Sequence, residues 1–355
     1  MTTQAPTQSL VEETGQPPLW EEIARPTGSF LVSVQEDLRK QSEAFHSEIQ
    51  EYALYALGAQ GKQIRPMLFG LSMLAAKSQD SQLSGESIDR ILEDGIEVAS
   101  IIEMVHLATL AHDDILDDAD IRRGKPTLAR KWGNEMAVLL GDCLFACALE
   151  RAALLENPFV FRKLAVATRR VCFGEALQAH QRLGFTMKWG EYLEVISSKT
   201  AELFALSCEL GGYSGDGSET DRRALADFGM SLGVAYQMFD DCVDLFGSER
   251  QAGKSLRTDL EKGKLTLPTL LILNEADPKV AGSLLKDLKN VDSCGVDSIV
   301  QRLLDLGALQ RSVEEILSRL KGAEKSLTPL ADSVGKERLI EISHYVARQT
   351  QDLRV

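Results

Sequence analysis

The stretch IEVASIIEMVHLATLAHDDIL, residues 96–116, decides the fold class. It has no proline, and its apolar residues cover nearly every face of a helix instead of alternating as they do in a strand. A helix this apolar is expected in the middle of a helical bundle. One narrow polar line crosses it at steps of three and four residues, through Glu97, Ser100, Glu103, His106, Thr109, Asp113 and Asp117.

Outward from this stretch, the chain shows the same helical periodicity and no convincing strand. Proline is absent between Pro66 and Pro126 and between Pro158 and Pro268. The pattern predicts an all-α, single-domain bundle of ten or more helices around a large central cavity. Residues 1–25 are expected to be a disordered tail and 26–355 the folded domain. The expected helices cover 30–56, 61–78, 86–118, 133–156, 159–184, 189–211, 220–247, 267–275, 278–288, 296–321 and 335–353.

Composition excludes several classes of protein. The 355 residues include 53 acidic and 39 basic side chains, a net charge of −14, which disfavours nucleic acid or an anionic membrane surface as the main partner. No apolar run is long enough to cross a bilayer, and the first 24 residues lack the basic residues of a secretion signal. The six cysteines form no CxxC pair, so we expect reduced core thiols in a cytoplasmic protein.

Two acidic motifs of the form D-D-x-x-D point to a metal site. The first is HDDILDDAD, residues 112–120, and the second is FDDCVDLFG, residues 239–247. Side chains at i and i+4 lie one turn apart on one helix face, so each motif can hold a cation between two carboxylates. Oxygen-only ligands favour magnesium, and the spacing does not fit a calcium loop. A single motif could be a solvated helix end, but two copies on strongly apolar helices favour a shared site. The candidate metal ligands are Asp113, Asp114, Asp117, Asp240, Asp241 and Asp244.

Basic side chains accompany both acidic motifs. GKQIRP (61–66) starts a helix, RRGKP (122–126) follows the first motif, and two lysines lie in the locally basic segment after the second. Each alone would more often be solvated surface charge, but their position beside the aspartates predicts a bound diphosphate. These residues are Lys62, Arg65, Arg122, Arg123, Lys199 with its neighbour Thr200, Lys254 and Lys264.

These motifs together resemble the trans-isoprenyl diphosphate synthase, or polyprenyl synthetase, family. They occur in the family's order between residues 61 and 268, and one visible departure is Arg257, where the family often has glycine. The matching strings are GKQIRP, HLATLAHDDILDDADIRRGKPT, AVLLGD, GEALQ, KTAEL, GVAYQMFDDCVDLFG and GKSLRTDLEKGKLTLP.

The resemblance implies roles for individual residues. Asp113 and Asp117 would bind two Mg²⁺ ions with support from Asp114, and Asp240 a third, with Asp241 and Asp244 nearby. Glu175 and Gln178 match a weaker family pattern beside the site. The allylic diphosphate would be bound by Arg122, Lys199, Gln237 and Lys254, and isopentenyl diphosphate by Lys62, Arg65, His106 and Arg123. Lys264 would close over the metal–diphosphate cluster and Thr200 would orient the reacting groups. The catalytic set is then Asp113, Asp117, Asp240, Lys199, Thr200 and Arg122.

The implied reaction is head-to-tail condensation of isopentenyl diphosphate with an allylic prenyl diphosphate by a homodimer without a stable membrane anchor. The small residues Ala108 and Thr109, one turn before Asp113, predict a long product of about twenty-five carbons or more by family analogy. A geranylgeranyl product of about twenty carbons, a terpene cyclase and a non-catalytic partner subunit of a prenyl synthase stay open as alternatives. The intact second D-D-x-x-D motif disfavours the cyclase, and the complete set of aspartates and basic residues disfavours the non-catalytic subunit.

Overall fold

The structure is a computed structural model that describes residues 19–58, 61–77, 85–181, 187–247 and 256–353. These segments are almost entirely helical. The helices are α1 (Leu19–Ala24), α2 (Gly28–Gln41), α3 (Gln50–Leu57), α4 (Ile64–Lys77), α5 (Gly85–Glu93), α6 (Ile96–Leu116), α7 (Leu128–Trp132), α8 (Asn134–Leu154), α9 (Pro158–Gln181), α10 (Trp189–Ile196), α11 (Glu202–Ser214), α12 (Glu219–Phe246), α13 (Thr258–Glu261), α14 (Leu267–Glu275), α15 (Pro278–Lys289), α16 (Val291–Cys294), α17 (Val296–Asp305), α18 (Ala308–Ser326) and α19 (Val334–Gln351).

Short irregular elements join some of these helices. Turns of 3₁₀-helix follow α1 at Arg25–Thr27 and α2 at Ser42–Ala44, and a π-helical segment, Ser197–Ala201, joins α10 to α11. Within the described residues the only strands are the two-residue pair β1 (Ile121–Arg122) and β2 (Lys125–Pro126), which are antiparallel. The all-α fold class is therefore confirmed.

Two long helices organise the interior. α6 is buried on almost all sides, and it packs chiefly on α8 with further contacts to α2 and α4. α12 packs between α11 and α18. Apolar side chains around α6 form one core cluster and those around α12 form a second. Both helices carry their acidic motif at the C-terminal end, so the packing of the core fixes the position of both motifs.

Several expected helices are interrupted in the structure. The expected helix 86–118 is divided into α5 and α6 at Asp94 and Gly95, where a Cβ at position 95 would lie 2.5 Å from the Phe69 ring. The expected helix 296–321 breaks at Gly307, whose φ of 78° is left-handed. The expected helix 30–56 is divided by the turn between α2 and α3.

The N-terminus and the cysteines also differ from expectation. Residues 1–18 lie outside the described ranges, but Leu19–Ala24 form α1, and Ile23 is fully buried in the second core cluster instead of belonging to a disordered tail.

Only Cys208 and Cys242 are buried core thiols; Cys143, Cys172 and Cys294 are exposed, and Cys147 is half-buried. All six are free.

Among the described residues, no helix is both long enough and apolar enough to cross a bilayer.

Candidate active site

We call Asp113, Asp114 and Asp117 the first aspartate row, and Asp240, Asp241 and Asp244 the second aspartate row. A lysine that contacts two helices holds the first row in place. Lys199, in the π-helical segment, donates hydrogen bonds to Asp113 Oδ1 (3.1 Å), Glu175 Oε2 (2.7 Å) and Gln178 Oε1 (3.1 Å). α9 approaches this closely because position 174 is glycine: a Cβ there would lie 2.7 Å from the Lys199 backbone nitrogen. π-Helical turns are often found at functional sites. Here the turn directs Lys199 between the two carboxylates.

The charges in this cluster shift one another's proton affinities. Burial, with a smaller contribution from the Asp113 charge, raises the pKa of Glu175 to about 8. Burial would lower the pKa of Lys199, but Asp113 and Glu175 outweigh that effect, so the pKa of the lysine is raised. At neutral pH the lysine of this group is therefore charged, and burial favours the protonated form of Glu175.

The second aspartate row is anchored at Asp241. Its Oδ2 accepts hydrogen bonds from the Tyr192 hydroxyl (2.6 Å) and the Leu267 backbone N–H (3.3 Å), and its Oδ1 accepts one from Gln237 Nε2 (2.9 Å). Burial raises the pKa of Asp241 to about 7, with the charge of Asp259 adding to the effect. This carboxylate is thus held in a fixed orientation.

Two connections bring the rows into one site. Thr200, the neighbour of Lys199, donates its hydroxyl hydrogen to Gln237 Oε1 at 2.8 Å, and Gln237 in turn holds Asp241. The π-helical segment therefore contacts the first aspartate row through Lys199, and it is linked to the second row through Thr200 and Gln237.

The second connection is Lys264. Its ammonium group lies 2.9 Å from both Asp117 Oδ1 and Asp259 Oδ1, and the Asp259 backbone N–H donates to Asp244 Oδ2 at 3.4 Å. Burial would lower the pKa of Lys264, but the Asp259 and Asp117 carboxylates outweigh that effect, so the pKa is raised. α6 and α12 thus present their acidic ends to a common space.

The RRGKP sequence forms the turn of the small hairpin. Arg123 (φ 54°) and Gly124 (φ 72°) are the two central residues, as in the left-handed two-residue turns of β-hairpins. The turn directs Arg122 to Asp114, with its Nε donating to Oδ1 at 2.6 Å. Gly61 packs directly against the guanidinium of Arg123. A Cβ at position 61 would lie 2.2 Å from the Cζ atom of this arginine. The glycine of GKQIRP therefore provides the space for this arginine.

A second cluster of charges lies beside α6, where Glu103 is buried, Arg65 is half-buried and Arg123 is exposed. Arg65, Glu103 and Arg123 interact electrostatically, and burial lowers the pKa of each arginine and raises that of Glu103. Arg65 Nε and Glu103 Oε2 are buried and lack a hydrogen-bond partner within the described part of the chain. Orphaned polar atoms of this kind mark a place where a polar ligand can bind.

His106 and Tyr236 border the same cluster. Burial lowers the pKa of His106 well below its usual value, and Arg65 and Arg123 lower it further, so this imidazole is neutral at pH 7. Burial raises the pKa of Tyr236 to about 12, and the charge of the half-buried Asp240 adds to it. Asp240 is thus close to the arginine cluster, at the edge of the second aspartate row.

The remaining predicted residues have other positions. Lys62 is exposed, and its ammonium group lies 5.5 Å from the Trp20 ring centroid and 5.4 Å from that of Tyr345. Lys254 lies outside the described residues. Ala108 and Thr109 are buried in α6, and the Thr109 hydroxyl donates to the His106 carbonyl at 2.7 Å.

Several residues of the site were not assigned a role from the sequence. Glu103 belongs to the polar line of α6, and Asp259 lies five residues before Lys264, so sequence patterns could have indicated both. Tyr192 and Tyr345 contact the site from distant parts of the chain, and no local pattern marks them.

The donor set suits a divalent cation that keeps water or substrate oxygens as ligands. Across the described ranges no three His, Cys, Asp or Glu side chains converge into a ready-made metal cage. Magnesium is usually bound by one or two carboxylates together with waters and phosphates. Asp113 with Asp117, and Asp240 with Asp244, supply carboxylates at the ends of two helices that are linked through Lys264 and Asp259, and they fit such a site.

Comparison with known proteins gives matches to one family. The family model described as "Polyprenyl synthetase" matches residues 46–303. Component 2 of the heptaprenyl diphosphate synthase of Geobacillus stearothermophilus is 36% identical over 282 residues, 79% of this chain and 84% of that one. The Caulobacter crescentus polyprenyl synthase, solved with calcium and isoprenyl diphosphate, superposes with a TM-score of 0.83 (27% identity; 96% and 100% of the chains). A Rhodobacter capsulatus decaprenyl diphosphate synthase gives 0.82 (28%; 95% and 100%).

Proposed function

Because the chain belongs to the polyprenyl synthetase family, we propose that it is a prenyltransferase that joins isopentenyl diphosphate head-to-tail to an allylic prenyl diphosphate. The observation that carries this proposal is the connection of both aspartate rows through Lys199–Thr200 and through Lys264. An aspartate-lined space with basic side chains on its walls is suited to a metal-bound diphosphate leaving group. The product is a trans-polyprenyl diphosphate.

The residues around the aspartates would bind the allylic diphosphate. Magnesium ions held there, three according to the family resemblance, would supply Lewis-acid stabilisation of the leaving group. Lys199 and Lys264 carry charge and lie against the aspartates, so they can donate to diphosphate oxygens without a large movement. Gln237 is fixed by Thr200, and Arg122 by Asp114, so their donor groups are oriented before substrate binds.

The cluster of Arg65 and Arg123 would bind the diphosphate of isopentenyl diphosphate. Arg65 and Arg123 interact electrostatically with each other and with Glu103, and the buried Nε of Arg65 has no hydrogen bond within the described residues, so a diphosphate would supply one. Neutral His106 adds a hydrogen-bonding group without further charge. Lys62 lies at the outer edge, where it can meet the substrate from the side of Trp20 and Tyr345.

The proposed product has about twenty-five carbons or more. Thr109 is small and lies on the same face of α6 as Asp113, one turn earlier, with Ala108 beside it. The similar proteins named above are described as heptaprenyl and decaprenyl diphosphate synthases, which also supports a long product. An aromatic residue at position 109 would close this path, so Thr109→Phe should shorten the product.

We also propose that the active protein is a cytoplasmic homodimer. The solvent-facing sides of α8 and α9 carry several exposed apolar side chains, which a second copy would cover. A specific alternative follows from the Geobacillus relative, whose name describes one component of an enzyme. A chain of that kind would need a different partner before it turned over.

One assay distinguishes these functions. Purified chain is incubated with farnesyl diphosphate, isopentenyl diphosphate and magnesium, and products are separated by chromatography. Prenyl diphosphates longer than the starter, lost on chelation, support the proposal. A hydrocarbon or alcohol would instead indicate a cyclase, and no turnover a partner-dependent subunit.

Two variants and a matched control locate the chemistry. Asp113→Asn and Asp240→Asn should each lower kcat about 100-fold or more, as expected when charge stabilisation is removed from a transition state. Asp332→Asn removes a carboxylate with 99% side-chain exposure that pairs only with the nearby Lys336, and it should leave kcat unchanged. Equal activity of all three variants would contradict the assignment of the aspartate rows.

A further inference from the structure

Lys62 lies just outside a helix, at a turn that does not by itself fix its side chain. α4 begins at Ile64, and the residue between them, Gln63, has a left-handed φ of 47°. The Gln63 Nε2 atom donates to the Leu31 carbonyl and to Gln35 Oε1 on α2, each at 3.5 Å. The backbone is thus held against α2, but the exposed lysine side chain needs other contacts to keep one position.

Two aromatic rings supply those contacts. The Lys62 ammonium lies 5.5 Å from the ring centroid of Trp20 and 5.4 Å from that of Tyr345, and it donates to the Tyr345 hydroxyl at 3.5 Å. The two rings also pack on each other, with centroids 5.1 Å apart and planes tilted by 53°. A cation beside two ring faces is attracted by both. These two half-buried rings therefore hold the ammonium group, and we call them the Trp20–Tyr345 clamp.

The clamp is assembled from the two ends of the described chain. Trp20 lies on α1, which packs on α19, and Tyr345 lies on α19, which packs on α4. Ile23 of α1 and Val346 of α19 are buried in the same core cluster, which fixes both helices. The family match covers residues 46–303, so both aromatic residues lie outside it. The clamp is therefore a feature that the matched family segment does not contain.

The aromatic contacts extend from the clamp toward Arg65. The rings of Tyr236 and Phe204 have centroids 5.6 Å apart, and the Arg65 guanidinium lies 5.2 Å from the Phe204 ring centroid. Burial is the main cause that raises the pKa of Tyr236 to about 12, and Tyr345 is close enough to add to the same effect. Lys62 and Arg65, which are both proposed to bind isopentenyl diphosphate, thus each rest on an aromatic side chain. The clamp borders the proposed site of that substrate.

We propose that Trp20 and Tyr345 are positioning residues that hold Lys62 for the diphosphate of isopentenyl diphosphate. Lys199 and Lys264 lie against carboxylates, which occupy their hydrogen-bond donors. In the described part of the chain, the Lys62 ammonium instead contacts aromatic rings. An ammonium group has three donors, so those not directed at the Tyr345 hydroxyl stay available for phosphate oxygens. This inference rests on the proposed function and deepens it by assigning residues that set the affinity for one of the two substrates.

The position of the clamp determines which kinetic parameter it controls. An unrestrained lysine loses rotamer freedom when it binds a ligand, whereas a clamped lysine has already lost it. The clamp therefore lowers the KM for isopentenyl diphosphate. The aspartate rows are held by Lys199, Gln237 and Lys264, so loss of the clamp should leave the allylic site and the chemical step intact.

The test compares the kinetic constants of both substrates, with farnesyl diphosphate as the starter and magnesium present. Trp20→Leu and Tyr345→Leu should each raise the KM for isopentenyl diphosphate about three- to fivefold, as expected for the loss of an exposed cation–π contact. The kcat and the KM for farnesyl diphosphate should stay within about twofold of the unmodified values. Tyr345→Phe keeps the ring and should behave like the unmodified chain. A variant that only folds less well would lose active protein and hence kcat, so it would not reproduce this pattern.

A double-mutant cycle connects the rings to the lysine. Lys62→Met should raise the KM for isopentenyl diphosphate at least as much as either leucine variant. Trp20→Leu or Tyr345→Leu added to Lys62→Met should raise it no further, because the rings act through the lysine.

Phe159→Leu is the matched control. It removes a ring whose centroid lies 5.5 Å from the Lys163 ammonium on α9, and it should not change the KM for isopentenyl diphosphate. Leucine variants of the clamp that leave this KM unchanged, or that raise it equally in the Lys62→Met background, would overturn the clamp although prenyl transfer stands. If the unmodified chain makes no prenyl product, the proposed function itself fails, and this inference fails with it.

Discussion

At the scale of single residues, the site depends on buried charges that compensate one another incompletely. Arg65 and Glu103 each retain a buried polar atom without a hydrogen bond inside the described ranges. Such atoms cost stability unless a ligand pairs with them. Diphosphate binding would supply that pairing for Arg65. The unliganded protein thus carries a cost that substrate binding removes.

His106 gives this argument a measurable consequence. Burial lowers its pKa well below 6.5 in the folded protein, whereas the unfolded chain titrates near the ordinary value of about 6.5. Below pH 6.5 the unfolded state therefore binds more protons, and the free energy of unfolding falls as the pH falls. His106→Gln should make this decline shallower between pH 7.5 and 5.5 when unfolding is followed in denaturant at each pH.

The groups facing His106 define the control for this experiment. Arg65, Arg123 and Arg122 all act to lower its pKa, whereas the raised pKa of Glu103 favours folding at low pH and opposes the histidine effect. His180 is exposed on α9, so His180→Gln should leave the pH dependence of the unmodified protein unchanged. A steep acid decline that persists in His106→Gln would show that the histidine is not buried in its neutral form.

At the scale of elements, Gly174 controls how closely α9 approaches the π-helical segment. A Cβ at this position would lie 2.7 Å from a backbone nitrogen, which cannot move as a flexible side chain can. Gly174→Ala should cost about 1–3 kcal/mol of unfolding free energy, as overpacking does, and should lower kcat by displacing Lys199. Denaturant unfolding and steady-state kinetics measure both effects.

Gly190 is the matched control for Gly174. It lies in α10 and has no heavy atom within 4 Å of its ideal Cβ position. Gly190→Ala should be neutral or slightly stabilising, because alanine is the better helix former. If both substitutions behave alike, close approach at position 174 does not determine the position of Lys199.

The elements also show which parts of the fold could be predicted from sequence. The sequence predicts α6 and α12 because a long proline-free segment with apolar residues at steps of three and four forms a helix. The close packing of the Phe69 ring on Gly95 could not be predicted, since the two residues are far apart in the sequence. The π-helical segment and the Tyr192–Asp241 hydrogen bond likewise depend on which helices become neighbours. Local sequence predicts helices and motifs, but contacts over long separations follow from packing.

At the scale of the whole molecule, one surface is unusually apolar for a chain with a net charge of −14. On α8 the side chain of Leu139 is 53% exposed, and on α9 that of Phe173 is 61% exposed. Val138, Leu154, Phe161 and Val166 are also exposed on these two helices. Contiguous exposed apolar side chains typically mark a protein interface. The proposed homodimer would bury them.

Charge introduced into this surface should separate the subunits. The unmodified chain should behave as a dimer of 39.0 kDa subunits in light scattering after size exclusion, and Leu139→Glu or Phe173→Glu should yield monomers, since an unpaired carboxylate is costly to bury. Val32→Glu alters a side chain on α2 that is equally exposed, at 59%, and should leave the dimer intact. A monomeric unmodified chain would refute the homodimer and favour a different partner. Glutamate variants that stay dimeric would move the interface away from α8 and α9.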